Sequence, residues 1–202
     1  AVRVGDIKYV DRNGDGVISY EQDRGYVGAA AYPKFVGGLS FSGDWKGIDL
    51  SFLFQAGLGR DVALTGVYSG GIMDNTQMTK PFYHGGNSPK YLVENSWRED
   101  NTNAEFPRLS IVQASSNNAY SSTFWYRSGD YLRLKNLQIG YTFPQKWMSR
   151  IGIDRLRIYF EGQNLWTVSE LTKFNIDPEQ PGVSNGYYPQ QRIFSFGVNL
   201  AF

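Results

Sequence analysis

The 202-residue chain has no cysteine and a single histidine. The first absence removes disulfides, thiolate metal sites and cysteine nucleophiles. The second leaves His84 without an imidazole partner for metal binding or relay catalysis, so it is taken as a loop residue. Basic and acidic side chains number 20 and 19, for a net charge of +1, and that near balance argues against nucleic acid, which requires a basic surface. No apolar run of about 18 residues occurs, so no transmembrane helix is expected. No P-loop, dinucleotide fingerprint or catalytic triad is present. Acid pairs such as Glu99-Asp100 sit in charged loop sequence rather than in a setting that would make a glycosidase pair. Nothing in the chain suggests an enzyme.

Aromatic residues reach 16%, with 23 glycines and only 19% charged residues. That balance suits β-structure and suits long helices poorly. Period-two alternation confirms the bias. Phe35, Gly37, Leu39 and Phe41 share one parity, and Ile48, Leu50, Phe52, Phe54 and Ala56 share another, with Asp44-Trp45-Lys46-Gly47 as a tight turn between them. Further strands are expected at 124–143, 155–167 and 190–202, giving five long strands with 34–45 and 47–58. Within 124–143, Leu132 and Leu134 lie on one parity, and Leu137, Ile139 and Tyr141 on the other, which predicts a bulge near Lys135-Asn136.

Strands of this length suit a tilted membrane crossing. If the last strand ends at the periplasmic side, the short connections at 44–47 and 144–154 fall there too. The long ones, 1–33, 59–123 and 168–189, all fall outside, as in outer-membrane barrels. Trp45, Tyr141, Phe143 and Trp147 cluster towards the short turns, and Phe124, Trp125, Tyr126 and Trp166 towards the long loops, consistent with two interfacial belts. A secreted, calcium-stabilised β-sandwich that binds glycans remains the alternative, with the apolar faces packed on each other. Five strands cannot close a barrel, and the chain starts at Ala; both features predict part of a longer protein.

The segment VDRNGDGVISYEQD, residues 10–23, has oxygen ligands at EF-hand spacing: Asp11, Asn13, Asp15, the Val17 carbonyl and Ser19. The twelfth place holds Gln22 instead of Glu, so Asp23 or Glu21 must close the site if calcium binds. Ile7-Lys8-Tyr9-Val10 precedes it with strand character, which favours a structural clip over a helix-flanked sensor. Among loop aromatics, Tyr83, Trp97, Tyr187 and Tyr188 are candidates for contact with a sugar or a protein partner.

With these stretches in place, the chain resembles the C-terminal part of a SusC/RagA-type TonB-dependent outer-membrane transporter of Bacteroidetes. The resemblance is carried by GDIKYVDRNGDGVIS (5–19), YPKFVGGLSFSGDWKGIDLSFLFQAGLG (32–59), SGDYLRLKNLQIGYTFP (128–144), LRIYFEGQNLWT (156–167) and YPQQRIFSFGVNLAF (188–202). It implies an all-β fold, the end of a barrel of about 22 strands with a plugged lumen. It further implies import of oligosaccharides or peptides across the Gram-negative outer membrane, with the loops extracellular. The implied partners are the remaining barrel and plug, membrane lipid, a SusD-type surface lipoprotein, and TonB through a segment this sequence lacks.

Overall fold

The computed structural model describes residues 2–27, 30–64, 89–109, 117–181 and 190–202, which fall into two compact units. The larger unit is a five-stranded antiparallel sheet built from β1 (Phe35–Trp45), β2 (Ile48–Leu58), β5 (Tyr131–Thr142), β6 (Arg155–Ser169) and β7 (Ile193–Ala201). The strands lie side by side in that order, with β1 and β7 as the outer strands. Lys46 and Gly47 join β1 to β2, both at positive φ (49° and 88°), as a two-residue turn of the primed kind whose twist matches the flanking strands. Gly47 is required twice over. Its φ disfavours a side chain, and a Cβ there would stand 2.6 Å from the Thr142 carbonyl oxygen, which lies beside the turn.

Register turns the alternation of each strand into rows that cross the sheet. Leu39, Phe54, Leu134 and Trp166 are successive partners, as are Leu50, Ile139, Phe160 and Phe196 two levels further along. Every one of these lies on the same face, because cross-strand partners share a side. The other face carries Ser42, Ser51, Gln138, Glu161 and Ser195 in a matching row. The parity change falls at Lys135: Leu53 pairs with Asn136 and Phe54 with Leu134, leaving Lys135 as the extra residue of β5. On the β6 side Asn164, at φ 52°, provides the matching irregularity. A bulge is needed here, since without it Leu137 and Leu134 would face opposite ways.

At one end of the sheet the connections are short. Between β5 and β6 the chain passes through α2 (Gln145–Met148) and a 3₁₀ turn, Ser149–Ile151, then Gly152 at φ 74°. At the other end β2, β5, β6 and β7 are joined by long excursions. Part of the second, a 3₁₀ segment at Glu170–Phe174 and the residues after it, buries Leu171, Phe174 and Ile176.

The smaller unit has a core of Val62, Leu64, Leu92, Phe106 and Trp125. β3 (Asp61–Ala63) pairs with β4 (Tyr126–Ser128), and α1 (Lys90–Glu94) lies between them in sequence. The stretch expected as one strand over 124–143 is therefore divided. Thr123–Trp125 is a 3₁₀ turn that places Trp125 in this core, stacked on Phe106, so Trp125 has no place in a lipid-facing belt. Residues 7–10, expected as a strand, form no ladder. Their polar groups go instead to side chains and carbonyls around Asn118: the Ile7 N–H donates to Asn118 Oδ1, and the Tyr9 hydroxyl to the Asn117 carbonyl.

Candidate functional site

Chemistry concentrates on the polar face of the sheet. Towards the short-turn end, Asp49 of β2 and Arg157 of β6 form a two-pronged ion pair across the intervening strand, at 2.7 Å (Nε) and 2.6 Å (Nη2). Such a fork fixes orientation as well as charge. The Arg157 guanidinium also lies 4.8 Å from the Tyr159 ring centroid.

Towards the long-loop end, Arg133 is 3% exposed and fully engaged. Its Nε donates to Thr167 Oγ1 at 2.9 Å, Nη2 to Asp177 at 2.8 Å, and Nη1 to Gln190 at 2.7 Å and to Glu179. Lys135 donates to the same Glu179, at 3.1 and 3.2 Å. The bulge explains the proximity of the two cations to one carboxylate: Lys135 is the inserted residue, two places after Arg133. Two positive and two negative side chains thus balance around the buried Arg133, the condition under which a buried guanidinium is tolerated. Gln55 extends the group by donating to the Tyr131 hydroxyl at 3.1 Å. None of Arg133, Asp177, Glu179 or the Asp49–Arg157 pair stands out in the sequence by motif. The available signal is a cation in mid-strand on a small polar face, which demands a partner.

The 10–23 loop is closed by its own side-chain oxygens. Asp11 accepts from the N–H groups of Gly14 (2.7 Å) and Gly16 (2.8 Å), Asn13 from Asp15 (3.0 Å), and Asp15 from Val17 (2.8 Å). Asp23 accepts from Ser19 at 2.6 Å and Arg12 at 2.7 Å, joining the two ends. Those N–H donors, Ser19 first and Arg12 next, hold the Asp23 carboxyl below the usual aspartate value. At the twelfth place the Gln22 backbone N–H donates to Ser19 Oγ at 3.1 Å, and its side-chain oxygen accepts from Ser19 Oγ at 3.5 Å. The oxygen donors suit a hard cation in kind. Among the described residues, however, no group of three or more His, Cys, Asp or Glu is gathered closely enough to hold a metal.

Trp97 is committed to packing: its ring covers Gly5, where an added Cβ would come within 2.4 Å of it. Tyr83, Tyr187 and Tyr188, like His84, lie outside the described residues. Of the four aromatics expected to make such contacts, Trp97 alone lies among the described residues, half-buried against Gly5.

No family model matches the sequence. Individual relatives do. TonB-dependent receptor P3 of Formosa agariphila is 29% identical over 207 residues, spanning 96% of this chain and 19% of that receptor. TonB-dependent receptor SusC of Bacteroides thetaiotaomicron is 26% identical over 197 residues, spanning 96% of this chain and 17% of the receptor. Among solved structures, the RagAB peptide importer in its open-open state superposes with a TM-score of 0.61 at 26% identity, covering 96% of this chain and 20% of the compared one. The chain spans about a fifth of the length of the relatives it matches. Over nearly all of its own length, then, this chain resembles the SusC/RagA type of TonB-dependent receptor in both sequence and fold.

Proposed function

We propose that the chain forms the C-terminal wall of a TonB-dependent outer-membrane importer, with no catalytic role. The observation that carries this is the two-faced single sheet. Its apolar face is uncovered, with Phe196 83% and Leu39 64% exposed, and the described residues contain no second sheet of comparable size to cover it. A secreted sandwich would bury these side chains against each other. In lipid they are at home. Each large apolar side chain transferred fully from water gains roughly 1.5–3 kcal/mol. Length agrees as well. β1 and β2 have 11 residues each; at about 3.3 Å per residue and a tilt of about 45°, such strands rise roughly 26 Å, close to the height of an apolar barrel band.

The polar face then lines the path of the substrate, and the long connections that leave β2 and β6 face outward. The similarity to SusC and to RagAB supports a surface lipoprotein of the SusD type as partner and TonB as the energy source, acting through other parts of the complete barrel and plug. Oligosaccharides and peptides are the two substrate classes in view. Calcium, in this proposal, adds to an already closed 10–23 loop by drawing its oxygens together, since without the ion they accept from backbone N–H groups and, among the described residues, no three carboxylates are gathered.

Single cysteines, introduced into a complete receptor freed of any other cysteine, supply the test. Phe196→Cys and Ser195→Cys, placed in the complete receptor, lie one residue apart on opposite faces. Maleimide confined to the bilayer should label only the first, and a membrane-impermeant maleimide admitted to the lumen only the second. Equal labelling of both from water, with the protein recovered in the soluble fraction, would end the barrel reading.

A further inference from the structure

The connection between β6 and β7 does not leave the sheet freely. From Glu170 to Pro181 it keeps Leu171, Phe174, Ile176 and Pro178 buried, and it returns to the polar face at Asp177 and Glu179. There Arg133 holds both limbs of the connection: Asp177 and Glu179 on the outgoing side, Gln190 on the returning side, just before β7. Lys135 takes a second grip on Glu179, and the Glu179 N–H is itself fixed by Asp177 Oδ1 at 2.8 Å.

From this we infer that residues 170–181 form a strap latched across the polar face, with Arg133 as the latch and Glu179 as the shared catch. A loop with only solvent contacts would need no buried guanidinium. A strap that must hold a set position at the wall, and be able to leave it, is served well by charge pairs, because they are strong when formed and each partner is well hydrated when they part. One side chain thus grips both limbs: breaking the contacts of Arg133 releases the strap at Asp177 and Glu179 and the returning limb at Gln190, 44 to 57 residues away in sequence. Under the transport reading on which this consequence rests, release of the strap widens the path along the polar face and uncovers Arg133 and Lys135.

Hydrogen exchange on the complete receptor, read by mass spectrometry, tests the latch separately from the transport reading, since it requires neither substrate nor TonB. Glu179→Gln and Arg133→Gln should speed exchange of the amides of 171–180 by about tenfold or more, the scale of a lost charge-assisted hydrogen bond. Amides of β5 and β6 should keep their wild-type protection. The reversed pair, Arg133→Glu with Glu179→Arg, should recover part of the loss. Lys135→Gln, which touches only the catch, should give a smaller acceleration, and it decides the matter if Arg133→Gln loosens the entire sheet. Unchanged exchange across 171–180 in both Glu179→Gln and Lys135→Gln overturns the latch and leaves the outer-membrane reading standing.

Discussion

Arg157 reaches over β5 to hold Asp49 by both prongs of its guanidinium, and it does so directly above Gly140. A Cβ at Gly140 would stand 2.3 Å from one Asp49 carboxylate oxygen and 2.6 Å from Arg157 Nη2. The glycine is thus the space that the ion pair occupies. Gly140→Ala should push the pair apart and cost about 1.5–3 kcal/mol, the range for a hydrogen bond to a charged group. Arg157→Lys should cost less, because a charge remains while the fork is lost. Urea unfolding of the receptor in detergent, followed by the gel shift of heat-modifiable barrels, measures both. Wild-type stability in Gly140→Ala would show that the pair relocates freely.

The two faces of β7 should answer oppositely to the same charge. Phe196→Arg puts a guanidinium on the apolar face, at a cost of about 2–4 kcal/mol near the bilayer midplane. Ser195→Arg puts it on the polar face, opposite Glu161. Assembled receptor in outer-membrane fractions should fall in the first variant and stay near wild type in the second.

Gly5 and Trp97 form a second pair in which size decides. Gly5 sits at φ 86°, and its missing Cβ leaves room for the indole. Gly5→Ala should destabilise the smaller unit by about 1–3 kcal/mol through strain and overlap together. The accompanying sign is a red shift of tryptophan emission as the Trp97 ring moves towards water. A variant with both stability and emission unchanged would contradict the packing.

The 10–23 loop should be sensitive to acid. Asp23 has a folded pKa below that of free aspartate, so the loop's closure is intact above about pH 3.9 and is lost as pH falls through the folded value. Carbonyl-carbon NMR should place the Asp23 midpoint below the free value, and the Arg12 and Ser19 amides should lose protection over the same interval. A midpoint at or above the free value would refute the bonding scheme.

Calcium should add protection on top of those bonds. Proteolysis of residues 5–25 should slow at calcium concentrations of about 0.1–1 mM, the range of extracellular sites, and Asp15→Ala should abolish the difference. Identical rates in calcium and chelator would leave the backbone hydrogen bonds as the sole closure.

Alternation by itself makes the rows of the sheet legible. Leu39, Phe54 and Leu134 sit on one face because a period of two admits no other arrangement once the strands pair. The parity break at Lys135 is legible for the same reason. Residues 124–130 are not. Phe124, Trp125 and Tyr126 have high strand propensity, yet Trp125 contributes more as a core residue of the smaller unit, and tertiary packing overrides local preference. The polar-face clusters are hidden differently. Parity tells which face Arg133 occupies; it cannot tell that Asp177 arrives there from 44 residues away. Likewise the spacing of the 10–23 loop identifies its oxygen atoms, while the fold occupies them with backbone N–H groups.

The sheet has two outer strands, and neither has a neighbour beyond it among the described residues of this chain. Along β1 and β7 the outward N–H and C=O groups are sockets awaiting a strand. In water they make the chain adhesive to any extended segment, its own copies included. In lipid each unmet group costs several kcal/mol. On the outer-membrane reading proposed above, the chain is stable in lipid only as an arc of a closed circle. Whatever completes that circle must zip onto Phe35–Trp45 on one side and Ile193–Ala201 on the other before the apolar face meets the bilayer core.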